Sequence, residues 1–317
     1  MRAVRFESEI EKRFNRDRAE IRRRLQAFPH ISAFGHGVKF QDKIATGLEC
    51  ISVYVRKKHP KKHLRQSERI KSEIRVGRRS ILTDVVELGE LRPQDAPTDY
   101  PFGDCLNDHV RSGTRSAYAT TAEGIMALTC SHVVAGPDQN PFTSAPIRSY
   151  DWGNTNWFEF GVSDRAVFDG GSGSASDYGY IDASLVKILP EALGRLQIPT
   201  DERLSFIPRD LEDIHSLSGK TVQGFGIASG DCIGVIQSVL VERIDGNSFK
   251  ADLVIVSPSG EGLTREGDSG MLWHLDDGTW VGQHALGRVE PAGQPSKVTA
   301  SSFLYRIRSK LKIQTFR

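Results

Sequence analysis

At 317 residues the chain is too long for one compact core of ordinary size, so two or three folding units are expected. Moderate apolar content and 30 glycines place it among globular proteins, and no run approaches the roughly 18 apolar residues of a membrane-crossing helix, so a transmembrane helix is not expected. The net charge of +2 conceals a split: through Arg92 there are 23 Lys+Arg against 12 Asp+Glu, a net of +11, which leaves −9 on the remainder.

Opposite charge on two parts of one chain favours docking of one upon the other, or recruitment of an acidic partner by the basic part. The opening MRAVRFESEIEKRF is charged from the start and lacks the apolar core of a secretory signal, so a cytoplasmic location is expected. Residues 8–28 predict an amphipathic helix. Ser8 with Glu11 forms a capping-box pattern, Ile10, Phe14, Ile21, Leu25 and Phe28 recur at helical spacing, and Pro29 ends the run. Residues 31–40 and 48–55 predict strands, 60–69 a short helix, and 74–76 and 81–88 further strands. The basic run 56–63 has no interleaved aromatics, so a solvated turn is expected rather than a nucleic-acid site.

Three prolines between Arg92 and Asn107 mark a linker. The texture then changes to short β-type segments at 117–120, 125–129, 166–168, 181–189, 222–227, 234–241, 253–256, 271–274 and 280–285, with a final helix over 302–312. The chain thus divides into a basic α/β unit at 1–92, a linker at 93–107 and a β-rich unit at 108–317. The four cysteines, Cys50, Cys105, Cys130 and Cys232, have no metal-ligand spacing and read as reduced, with Cys130 in the core.

Three segments of the β-rich unit carry chemical promise. Glu266-Gly267-Asp268-Ser269-Gly270 could form a turn that exposes a serine hydroxyl and aims backbone N–H groups at a developing oxyanion. Met126–Val134 is an apolar strand that ends at His132, and Asp182 begins the strand Asp182–Ile188. Read singly, each has an ordinary structural explanation: a polar turn, a satisfied histidine, a strand-start aspartate.

In the order His, Asp, Ser, with separations of 50 and 87 residues, the three together resemble the trypsin/chymotrypsin family of serine proteases. LTCSHVV is similar to that family's strand leading to histidine, DASLVKI to its aspartate strand, GDSG to its nucleophile turn, and Gly278–Gly287 to the strand pair beyond it. The resemblance covers about residues 111–312. It implies a mainly β fold of two six-stranded antiparallel β-barrels (chymotrypsin-like) with a C-terminal helix, preceded here by the small α/β N-terminal domain. It implies Ser269 as nucleophile, His132 as general base, Asp182 as its orienter with Asp177 as fallback, and an oxyanion hole from Gly267 and Ser269. It requires no metal or organic cofactor, and a protein or peptide substrate is the partner it implies.

Departures from the family pattern shape the remaining expectations. No Ile-Val-Gly-Gly-like segment exists to pair with Asp268, so a local partner for that carboxyl is expected. Leu263 stands six positions before the serine, where trypsins keep an aspartate, which disfavours Lys or Arg specificity. His284, with Ala285 and Gly287, falls where glutamate-specific members hold a substrate acid, so cleavage after Glu or Gln is expected; a histidine filling the barrel is the alternative. The long stretch 136–180 contains Trp152, Trp157, Phe158 and Phe160, expected in a strand packed on the barrel, and a Gly/Ser run at 170–174 expected as a loop near the cleft. The N-terminal unit resembles extensions ahead of bacterial trypsin-like proteases through Gly35–Lys39 and Thr83–Glu87, which implies a docking or inhibitory module. Since a cytosolic protease must be restrained, an activating or inhibitory protein partner is also expected. Two other readings stand beside proteolysis: a catalytically silent protease fold used for binding, and an N-terminal domain that recruits an acidic partner.

Overall fold

The computed structural model describes residues 9–42, 44–94, 96–97, 105–107, 111–134, 146–151, 156–169, 181–244, 250–291 and 293–317. Helix α1 (Glu9–Leu25) stops short of the expected 28, because Phe28 N donates to Leu25 O in a closing turn before Pro29. Its Ile21 and Leu25 are buried with Ile31, Phe34, Ile51 and Val53, which is where the helical spacing put them. Strands β1 (Ile31–Gln41) and β2 (Ile44–Val55) form an antiparallel hairpin; β3 (Glu73–Val76) and β4 (Arg79–Glu87) form another, with β4 parallel to β2.

The helix expected at 60–69 is replaced by two 3-10 turns, Lys61–His63 and Gln66–Glu68, with no buried residue in either. Leu64 is the one apolar residue among Lys61–Arg69, too little to bury a helical face, and a short helix in water does not hold without one. Strand β5 (Leu91–Pro93) follows β4 after three residues.

Next come β6 (Ala96–Pro97), β7 (Cys105–Asn107), β8 (Arg111–Thr114), β9 (Ala117–Thr121), β10 (Gly124–Thr129), β11 (Pro146–Asp151), β12 (Asn156–Asp169) and β13 (Ile181–Ile188). Trp157, Phe158 and Phe160 lie on β12, with Phe160 fully buried; Trp152, the Gly/Ser run and Asp177 lie outside the described residues. Short helices α2 (Pro190–Leu193) and α3 (Leu211–His215) then lead to β14 (Thr221–Gly226), β15 (Gly230–Arg243), β16 (Lys250–Val256), β17 (Leu272–His274), β18 (Trp280–Arg288) and β19 (Val298–Phe303). The chain ends with α4 (Leu304–Leu311) and β20 (Thr315–Phe316).

Two sheets result. One contains a closed six-stranded antiparallel barrel, β14-β17-β18-β19-β16-β15, because β15 pairs back to β14. The other runs β20-β9-β10-β13-β12-β11-β7-β8-β6. The architecture is mainly β, consistent with the chymotrypsin-like double barrel. The closed barrel is filled by Val222, Ile236, Leu253, Trp273, Val281 and Phe303, each contributing about 1.5–3 kcal/mol by burial. On the second sheet, α4 lays Leu304, Ile307 and Leu311 against Ala119, Leu128 and Leu185.

The basic N-terminal strands join the barrel's own sheet. β1 pairs antiparallel with β15, matching Ala33 to Arg243 and His36 to Val239. Fourteen residues long, β15 pairs with β14 at its start and with β1 at its end, and with β16 from Val235 to Glu242. Arg18 Nε lies 2.7 Å from Glu242 Oε2, both side chains nearly inaccessible, and Arg22 meets the same carboxylate. Among the described residues no helix is long and apolar enough to cross a membrane.

Candidate active site

β10 ends at Thr129, and the 3-10 turn Ser131–Val133 presents a buried His132. The neighbouring strand β13 pairs with β10 and places Asp182 directly beneath that turn. Two hydrogen bonds tie them: His132 N donates to Asp182 Oδ1 at 3.1 Å, and His132 Nδ1 lies 2.5 Å from Asp182 Oδ2. Ser131 Oγ donates to Ala183 O at 2.7 Å, so the residue before the histidine is also pinned to β13.

Ser269 lies in the turn before β17. The turn depends on Gly267, whose φ of +103° is a conformation that a side chain rarely tolerates. Asp268 fixes it from within: its carboxylate accepts from the N–H groups of Arg265, Ala228 and Ser229 and from the Ser229 hydroxyl, at 2.6–3.1 Å. Burial pushes the Asp268 carboxyl up, against the lowering effect of those four donors. Thr114 fastens the turn to the second sheet, its N–H donating to Ser269 O at 2.8 Å and its hydroxyl to Gly267 O at 3.0 Å.

The structure brings His132, Asp182 and Ser269 together: His132 Nε2 lies 2.8 Å from Ser269 Oγ. An ionised carboxylate only accepts, so Nδ1 carries the imidazole proton and Nε2 turns its lone pair to the hydroxyl. Ala285 O offers that hydroxyl a second acceptor at 3.1 Å.

Residues 93–107, expected as a linker, contribute a group to this site. β5 pairs antiparallel with β18, setting Pro93 against Leu286, Arg92 against Gly287 and Leu91 against Arg288. Gln94 follows, 7% exposed. Its carbonyl oxygen accepts from Gly267 N at 2.5 Å and Ser269 N at 3.3 Å. Its own N–H faces Ser269 Oγ at 3.1 Å and Ala285 O at 3.4 Å. Its side-chain Oε1 lies 2.8 Å from His284 Nε2. A Cβ on Gly287 would collide with the Gln94 amide, so the glycine leaves the space that this side chain fills.

His284 is fully buried, and its pKa falls to about 3, first from burial and then from His132. The imidazole is therefore neutral near pH 7. With Nε2–H donating to Gln94, the buried Nδ1 carries the lone pair and has no hydrogen-bond partner among the described residues. Leu263 does not join this group. Its side chain packs inside the closed barrel with Val222, Cys232 and Ile255, while its N–H donates to Ser296 O at 2.6 Å. Counting six positions back from the serine does not reach the pocket here, because 263 lies on the inward face of the segment that closes over Gly234.

Two clusters of metal-ligating atoms fall within 4.8 Å of one another among the described residues. Cys130, His132 and Asp182 form one, and its imidazole and carboxylate already bond each other. The other is His36, Glu49 and His215; His36 pairs with Glu49 at 3.0 Å and stacks on His215 at 3.8 Å between ring centres. Cys50, Cys130 and Cys232 are buried, and burial pushes the thiols of Cys50 and Cys232 up to about 12.

No protein-family model and no curated protein matches the chain. Among solved structures it is similar to Thermobifida fusca protease A, at 14% identity over 69% of this chain and 98% of that one, with a TM-score of 0.44. It is also similar to a glutamic acid specific serine protease described as using a histidine triad in substrate binding, at 11% identity over 69% and 100%, TM-score 0.43. A third is Cellulomonas bogoriensis chymotrypsin, at 12% identity over 68% and 97%, TM-score 0.40. These likenesses are distant. The strand pairing of the chain itself, a closed six-stranded barrel beside a second sheet, carries the assignment. That architecture is consistent with the chymotrypsin-like double barrel.

Sequence reasoning missed Gln94, Thr114 and Ser229. Gln94 had a signal: it is the sole Gln or Glu in 93–107, beside a pocket expected to take one. Thr114 and Ser229 had none, since each acts by a hydrogen bond across more than thirty residues of sequence.

Proposed function

We propose that the chain is a serine endopeptidase that cleaves on the carboxyl side of glutamine or glutamate. The observation that carries this reading is the relay Asp182–His132–Ser269 set beside a glutamine carbonyl held by Gly267 and Ser269 N–H. Ser269 Oγ attacks the substrate carbonyl while His132 Nε2 takes its proton. The carbonyl oxygen gains charge between the two backbone donors, where pre-aimed dipoles act at no reorganisation cost. The imidazolium, held by Asp182, then protonates the leaving amine, and water repeats the sequence on the acyl-enzyme.

Specificity follows from His284. A neutral Nε2–H donates equally well to an amide oxygen and to a carboxylate, but supplies no charge to offset a buried carboxylate. Glutamine is therefore the preferred residue, with glutamate improving as the pH falls toward the ordinary carboxyl range. A fluorophosphonate probe is expected to label Ser269 in the wild type and leave Ser269→Ala unlabelled, and a peptide library is expected to show cuts after Gln. Equal cleavage after aliphatic residues removes the specificity, and an unlabelled wild type removes the catalysis. The N-terminal unit serves in this reading as a docking module, held by β1 and the Arg18–Glu242 pair.

A further inference from the structure

We propose that the chain is its own substrate, and that the bond between Gln94 and Asp95 is cut in cis by Ser269. This rests on the protease reading above. Four features place residues 91–94 as a substrate is placed. The backbone of Leu91–Pro93 adds an antiparallel strand to the β18 edge that lines the cleft. The strand continues outward, where Val289 N donates to Glu90 O at 2.8 Å. The Gln94 carbonyl oxygen sits between the two N–H groups that would stabilise an oxyanion, and the Gln94 side chain fills the pocket that ends at His284. An accidental crossing of the cleft would satisfy one of these, not all four in one register.

The tether makes the arrangement intramolecular. Only Leu88, Glu90 and Gly89, with its φ of +69°, separate β4 from β5, and β4 is locked through β2 and β1 to the barrel itself. Holding the reacting groups on one framework replaces a bimolecular encounter by a local one. In the step itself, Ser269 Oγ bonds to the Gln94 carbonyl carbon as its proton moves to His132 Nε2. The C–N bond to Asp95 then breaks, that nitrogen takes the proton from His132, and Gln94 is left as an ester on Ser269. Water cleaves the ester and returns the proton to Ser269, giving a Gln94 carboxylate and a new amino terminus at Asp95.

The test uses the full chain. Purified wild type, Ser269→Ala and Gln94→Ala are incubated at neutral pH and followed by intact mass and N-terminal sequencing. The expected result is conversion of wild type to 1–94 and 95–317, a first-order rate that does not change with protein concentration, and an intact Ser269→Ala chain that added wild type does not cut. Gln94→Ala is expected to slow the conversion at least about 10-fold, since a site built to bond an amide discriminates against a residue without one. Fluorophosphonate labelling and turnover of a Gln-containing peptide run in parallel on the wild type. A wild type that labels and turns over peptide yet stays whole, or that is cut only between molecules, overturns self-cleavage and leaves the protease standing. A wild type that neither labels nor cleaves removes both.

Discussion

The two flanks of the cleft are built on different principles. On the flank of the second sheet, His132 in the turn after β10 and Asp182 on the paired strand β13 are bonded directly, side chain to backbone and side chain to side chain. On the barrel flank, Ser269 is placed by a turn whose shape depends on a left-handed glycine, a buried carboxylate with four donors and a threonine reaching across from the other sheet. The first flank carries its geometry in strand register. The second borrows it from long-range hydrogen bonds, and so has more ways to fail.

Substitutions can break that contrast apart. Asp182→Asn leaves the strand pairing intact but presents an amide to Nδ1, so turnover should fall about 10⁴-fold with little change in melting temperature. A large stability loss there would mean that the first flank is also held by its side chains. Asp268→Ala strips four donors of one buried acceptor and should cost about 3 kcal/mol or more in urea unfolding, together with activity. Thr114→Val removes the bond to Gly267 O and orphans Ile227 N–H, for a loss of about 1–2 kcal/mol; unchanged stability would show the turn to be self-supporting.

His284 offers the finest test. Its pKa is about 3 when folded and returns to the ordinary histidine range when unfolded. Between those values the unfolded chain binds the extra proton, so this residue's contribution to stability is intact above about pH 6.5 and is lost as the pH falls toward 3. The slope is about 1.4 kcal/mol per pH unit at most, and His284→Gln should remove it from the pH dependence of urea unfolding.

Much of this site was legible before the structure. LTCSHVV, DASLVKI and GDSG are local patterns, and each forms the strand end, strand start or turn that its residues specify. The β-rich texture likewise placed some strands close to their observed limits, such as Ala117–Thr121 and Ile181–Ile188, but took only 166–168 of the fourteen-residue Asn156–Asp169. Strand alternation and glycine-bearing turns are short-range rules, so a single chain displays them openly. Leu263 shows the limit of such counting: sequence offset alone could not tell a pocket wall from a barrel interior.

What tertiary structure alone decided is where distant edges pair. Nothing within residues 31–41 announces that they will extend a barrel strand two hundred residues away, because an unpaired strand edge accepts any partner of suitable twist and length. Nor does the proline-rich run after Arg92 disclose that its first residues lie in the cleft, since an extended segment reads alike whether it crosses solvent or completes a sheet. The sequence determined which side chains could do chemistry, and long-range backbone pairing decided that Gln94 would be set before them.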